Sequence, residues 1–140
     1  MPERAAFPRT IVFPDETRTA ADAAAAIGCD VGAIVKSLVF RRGEETVLVL
    51  CSGANTVDSE RLDLSRARAD EVRAVSGFAI GGVPPYGWAN APAATLVDED
   101  LLNFDEIWAA AGTPRSVFPL SPAELLARCR GEVVAVKPSG

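Results

Sequence analysis

The sequence predicts an α+β protein, in which many short strands alternate with a few short helices. Two observations carry this. Ile34–Arg42 and Glu45–Cys51 are apolar, β-branched runs separated only by a turn-like Arg42-Gly43-Glu44, the pattern of a hairpin. Two helix starts are also well marked, at Thr19 and at Ser121-Pro122-Ala123-Glu124. The 140 residues fit one domain, 1–140, and suffice to bury a sizeable core. No repeat, low-complexity tract or internal linker interrupts them.

In chain order, Thr10–Phe13 is read as extended. Thr19 caps a helix over Ala20–Ile27 that stops at Gly28. The hairpin follows, then a loop through Ser52-Gly53-Ala54-Asn55. Helices are expected near Asp58–Leu64 and over Asp70–Val75, and a brief strand over Phe78–Ile80. Thr95–Asp98 reads as a strand and Glu99–Leu102 as a turn. Glu106–Ala111 suits strand or helix, with strand preferred, and Arg115–Phe118 is a strand. Ser121 as N-cap, Pro122 at the first helical position and Glu124 at the third open a helix to about Arg128. Gly131–Val136 closes the chain as a last strand.

Composition limits the chemistry. The chain has no histidine, so the commonest acid/base group is missing. Net charge is −5, with a sequence pI of about 4.7, which argues against a broad duplex-DNA surface. Arg41, Arg42, Arg61, Arg66 and Arg68 offer a local basic spot for one end of an RNA, and read equally as solvated surface arginines. Cys29, Cys51 and Cys129 are widely spaced and odd in number. They form no metal motif and read as small buried hydrophobes in a reducing, cytoplasmic setting. No apolar run reaches the length of a membrane span. Asp58, Asp98, Glu99 and Asp100 are candidate general bases, although Asp98-Glu99-Asp100 reads more simply as a solvated turn. Neither metal nor cofactor is expected.

Two features stand out. Lys36 lies inside the apolar run Ile34-Val35-Lys36-Ser37-Leu38-Val39-Phe40, where alternation puts Ile34, Lys36 and Leu38 on one face. A lysine there is either an edge-strand or snorkelling residue, or a fixed point charge for a phosphate or carboxylate. Gly81-Gly82-Val83-Pro84-Pro85-Tyr86-Gly87 is either a turn or a rigid loop. Its glycines permit close backbone approach, and its prolines fix the directions of the remaining N–H groups. Such a loop can hold a carbonyl oxygen or an oxyanion.

The stretches IVKSLVF, SGFAIGGVPPYG, LVDEDLL and GTPRSVFPLSPAELL, in this order and spacing, resemble the YbaK/EbsC-type domains. These are free-standing relatives of the editing insertion of bacterial prolyl-tRNA synthetase. The resemblance runs from about Thr17 to Val136. It implies a curved, barrel-like mixed sheet flanked by short helices. It also implies hydrolysis, in trans, of the ester of mischarged aminoacyl-tRNA, with the tRNA acceptor end as partner and a synthetase as a further one.

Carried over by position, Lys36 anchors the tRNA 3′ end, while Gly81 to Pro85, with Gly82, Val83 and Pro84 between them, cradle the ester. The resemblance assigns Ser37 to the amino-acid pocket, and adds Thr19, Ser52, Gly53, Ser116 and Phe118 to the substrate-contacting set. The chain departs from some relatives at Trp88, where many have histidine, and near Val117, where some have aspartate. A non-catalytic nucleic-acid-binding module and a small-molecule-binding domain are the alternatives on the same scaffold.

Overall fold

A computed structural model describes residues 7–15, 17 and 19–138. One eight-stranded mixed sheet organises them. Its strands are β1 (Ile11–Val12), β2 (Ile34–Arg42), β3 (Glu45–Ser52), β4 (Ser65–Arg66), β5 (Ala94–Asp98), β6 (Ile107–Ala110), β7 (Ser116–Leu120) and β8 (Glu132–Val134). Their order is β1-β7-β6-β2-β3-β5-β8, with β4 paired to β2 off this path. The path is open, so the expected barrel-like curvature does not end in closure.

The β2–β3 hairpin is the spine. It pairs Val35 with Ser52 through Arg42 with Glu45, turning at Gly43, whose φ of +65° needs no Cβ to be avoided. Register sorts the two faces. Leu48 and Leu50 point into one core with Val97, Leu101, Ile107, Phe118 and Leu125, all at most 1% exposed. Val47, Val49 and Cys51 point into a second core with Leu96, Leu64 and Val136. Each such side chain, fully buried, contributes roughly 1.5–3 kcal/mol relative to exposure.

Three helices pack around the sheet: α1 (Ala20–Ile27), α2 (Ala69–Ser76) and α3 (Pro122–Cys129). Their ends follow the sequence closely. Thr19 Oγ1 accepts the Asp22 N–H at 3.0 Å, and Gly28 stops α1 in the left-handed region. Arg18, part of the expected start of α1, lies outside the described residues. At α3 the Ser121 hydroxyl takes the Glu124 N–H, and the Glu124 carboxylate takes the Ser121 N–H at 2.8 Å.

Three expectations are corrected. Residues 58–64 form a turn rather than a helix, because Asp63 adopts φ +56° and Leu64 N–H closes back on the Ser59 carbonyl. That turn delivers Ser65-Arg66 to the edge of β2, a strand the sequence reading missed. Phe78–Ile80 is not a strand. The Ser76 hydroxyl accepts the Phe78 N–H, and the Ala79 carbonyl accepts the Gly82 N–H, so this stretch satisfies its polar groups locally. The last strand is paired only over Glu132–Val134.

Candidate active site

The site begins with a gap in the sheet. β3 occupies one edge of β2 along nearly its whole length. On the other edge β6 pairs with Ile34 and Val35, and β4 with Phe40 and Arg41. Between them the edge of β2 is uncovered. The Ile34 carbonyl accepts from Gly53 N–H on the β3 side, at 2.7 Å, so the even-numbered residues direct their peptide groups to β3 and the odd-numbered ones to the other edge. Val35 is taken by β6, Arg41 by β4, and the Val39 carbonyl by the Ala67 N–H. The peptide groups of Ser37 are left facing the gap. The Ser37 Oγ is also buried and has no hydrogen-bond partner. One residue thus turns a backbone donor and an acceptor to an unfilled edge, while its hydroxyl is buried away from it.

A cavity of about 560 Å³ opens on this gap. Helix α1 supplies one wall, through Thr19, Ala20 and Ala23. Strand β2 supplies Ile34 to Leu38, the loop supplies Ile80, Gly81 and Val83, and β6 and β7 supply Trp108 and Val117. The alanine-rich face of α1 keeps that wall low. Among the described lining residues Lys36 is the sole charged one. A smaller annex of about 100 Å³ shares Ser37, Leu38, Ile80 and Val83 and has Arg66 at its rim.

Lys36 is placed by a chain of hydrogen bonds. Its Nζ donates to the Asn55 backbone carbonyl at 2.5 Å. The Asn55 side-chain amide in turn donates to Asp98 and to Asp100, each at 2.8 Å. Asp98 is 1% exposed and accepts further from the Ser52 and Asp100 N–H groups. Asp100 also pairs with Lys137 at 3.0 Å, and the two bonds, first from Asn55 and then from Lys137, hold its carboxyl below the ordinary aspartate value. Asn55 and this role of Asp98 escaped the sequence reading. The signal was the D-x-D pair at the end of an apolar strand, read as a solvated turn. Asp98 instead caps the 3₁₀ turn Glu99–Asn103 from inside the protein.

The residues singled out from sequence divide into two sets. Lys36, Gly81, Thr19, Ser37, Gly53 and Val83 come together around the cavity. Ser52, Gly82, Pro84, Pro85, Ser116 and Phe118 do not line it. Ser52 is buried behind it, its hydroxyl donating to the Gly32 carbonyl at 2.7 Å. Gly82 lies against Thr113, where a Cβ would come within 2.8 Å of backbone. Pro84 is fully buried, and its carbonyl accepts the Trp88 indole N–H at 2.8 Å. Pro85 lines a separate cleft on the other side of the loop. Ser116 bonds the Thr113 hydroxyl, and Phe118 is a core residue against Phe7 and Tyr86. These six shape the site from behind.

No thiol competes as nucleophile. Burial pushes Cys51 up to about 12, against the opposing pull of Lys36. Cys29 and Cys129 are raised as well, by burial first. Among the described residues no cluster of His, Cys, Asp or Glu is arranged to hold a metal ion. No described helix is long and apolar enough to cross a membrane.

Residues 14–127 match the aminoacyl-tRNA editing domain. The chain belongs to that family. It is 33% identical over 120 residues to the uncharacterized protein YwhH of Bacillus subtilis (strain 168), covering 81% of this chain and 76% of YwhH. It is similar to the crystal structure of "a putative trans-editing enzyme for prolyl tRNA synthetase", with 44% identity and a TM-score of 0.86 over 93% of this chain and 86% of that one. It is also similar to the hypothetical protein APE2540, with 28% identity and a TM-score of 0.78 over 91% and 89% of the two chains. The fold is therefore that of the editing domains.

Proposed function

We propose that this protein is a trans-acting deacylase that hydrolyses the ester of mischarged aminoacyl-tRNA, working in the cytoplasm on the acceptor end of the tRNA. The observation that carries the reading is Lys36. Its ammonium is tethered at a cavity that no described carboxylate lines and that Gly81 of the Gly-Pro loop also lines, in a chain of the editing-domain family. A cation so held suits the terminal phosphate or ribose of the RNA.

Gly81 and Val83 at the cavity wall are suited to place the aminoacyl ester, and the Ser37 peptide groups to meet its amino-acid part. Among the described residues no Asp, Glu, His or Cys lines the cavity, so water attack is best served by the substrate. The ribose hydroxyl beside the ester can accept or relay the proton. The protein then contributes positioning and charge stabilisation. A synthetase is the natural recruiting partner.

The test is turnover of a panel of mischarged tRNAs by the wild type and by Lys36→Ala. The wild type is expected to deacylate at least one of them, and the variant to lose about 100-fold or more in kcat/KM. Equal rates for the two proteins on every substrate would remove Lys36 from the reaction.

A further inference from the structure

The Gly-Pro loop has a second side. Gly81 and Val83 face the Lys36 cavity, whereas Pro85, Tyr86 and Trp88 face a cleft of about 230 Å³ closed by the end of α3. That cleft also holds Pro92, Arg128 and Arg130 and, among the described residues, no acidic one. In a chain with 19 acidic and 14 basic residues, two arginines without an acid at one concave place are a local reversal of charge. Among the described residues neither guanidinium has a hydrogen bond or an ion pair within 4 Å, although Arg9, Arg41, Arg61 and Arg68 all do. The nearest acid on the same helix is Glu124, whose carboxylate caps Ser121 and also feels the Arg128 charge without pairing with it.

The rings are fixed. The Trp88 indole is tied through its N–H to the Pro84 carbonyl, and Tyr86 stands edge-on to Phe118 at 6.0 Å. Arg130 is brought to the rim by a left-handed turn, φ +55°, at a helix end where glycine is the usual residue.

Rigid aromatic and proline walls beside guanidinium groups held in no ion pair are the chemistry that takes an unstacked base and its phosphate. The volume is below the roughly 300–1,000 Å³ of a pocket for a whole drug-sized ligand, so it suits one ring system. We propose that this cleft is a second nucleotide site, holding one base against Trp88 and its phosphate against Arg128 and Arg130. If the deacylase reading holds, the nucleotide is one of the tRNA's own, and the loop couples its binding to placement of the ester. The alternative source is a free mononucleotide.

The two tryptophans separate the sites, since Trp108 lines the Lys36 cavity and Trp88 the cleft. In a Trp108→Phe protein, adenosine 5′-monophosphate is expected to quench Trp88 fluorescence saturably. Adding Arg128→Ala and Arg130→Ala is expected to weaken that binding tenfold or more, as is omitting the phosphate by using adenosine. Both arginines are exposed, and melting temperature checks that the double variant stays folded. Absence of saturable quenching, or quenching indifferent to the arginines, overturns the site.

A second arm finds the source. On a mischarged tRNA that the wild type deacylates, the double arginine variant is expected to raise KM several-fold with kcat kept, and to leave turnover of an aminoacyl-adenosine unchanged. Nucleotide binding with an unchanged tRNA KM assigns the cleft to a free nucleotide. The fluorescence arm needs no turnover, so it stands even where the deacylase reading fails.

Discussion

The two walls that face each other across the Lys36 cavity are built by opposite means. On the β2 side a charge is placed by hydrogen bonds: Lys36 to Asn55, Asn55 to Asp98 and Asp100, Asp100 to Lys137. On the loop side the backbone is placed by shape. Gly82 passes against Thr113 where no Cβ fits and bonds the Ala79 carbonyl, Pro84 and Pro85 are buried, and the Trp88 indole N–H braces the turn. A cation must be held against its own solvation and flexibility, which takes a directional network. A loop that offers peptide N–H groups needs only a fixed path, which sterics supply.

The largest effect is expected where the first wall is anchored. Asp98→Ala removes the acceptor of the Ser52 N–H, the Asp100 N–H and one Asn55 amide hydrogen, in a place 1% exposed. Each buried donor left unmade costs about 1–3 kcal/mol, so a loss of about 3 kcal/mol or more is expected in urea unfolding at unchanged m-value. A loss under about 1 kcal/mol means that the network does not hold this wall, and the contrast between the walls fails.

This wall is also where the sequence was least legible. The hairpin was read correctly because period-2 patterning and a Gly turn specify it locally, and α1 and α3 because their caps are short-range chemistry. Lys36 was legible as an oddity, a cation in an apolar run. Asn55 and Asp98 were not, since a buried carboxylate and a solvated turn share the same letters, and only pairing of β3 beside β5 brings residues 55 and 98 together. The predicted helix at 58–64 failed for a related reason. The pairing of Ser65-Arg66 with β2 is a long-range demand, met by a turn through Asp63. Likewise Phe118 and Ser116 fell within the stretch carrying the family resemblance, yet the fold uses them behind the cavity.

The loop wall is tested by its neighbouring glycines, which need to be glycine for different reasons. An alanine at 82 brings Cβ within 2.8 Å of Thr113 backbone atoms that have no rotamer to yield, and about 2 kcal/mol of stability is expected to be lost. An alanine at 81 meets nothing closer than Pro114 at 3.8 Å, and its cost is that of φ +93° for an L-residue, about 1 kcal/mol. The order of the two losses, read by chemical denaturation, separates a wall fixed by chain-to-chain contact from one fixed by local conformation. The functional consequence is expected in reverse order, because Gly81 lines the cavity and Gly82 does not. A Gly81→Ala protein that is the less stable of the two reverses the assignment.

The smallest effect concerns acid, and it touches one wall only. Asp100 has its carboxyl lowered by the Asn55 and Lys137 bonds, whereas the loop from Gly81 to Trp88 contains no acidic or basic residue. A group whose folded value lies below its unfolded one adds stability above the unfolded value, about 3.9 for aspartate, and loses it as pH falls through the folded value. Lys137 is raised in turn by Asp100, so its share is present below the ordinary lysine value and is lost only in strong alkali. Asp100→Asn is therefore expected to lower the melting temperature at pH 7, by less than either glycine change because the pair is half exposed. The gap between wild type and variant should close as pH drops below about 4. Exchange of the side-chain N–H groups locates the event: protection of the Asn55 amide hydrogen that Asp100 accepts should fall in acid while the Trp88 indole N–H keeps its own, and simultaneous loss of both would show that the two walls open as one unit.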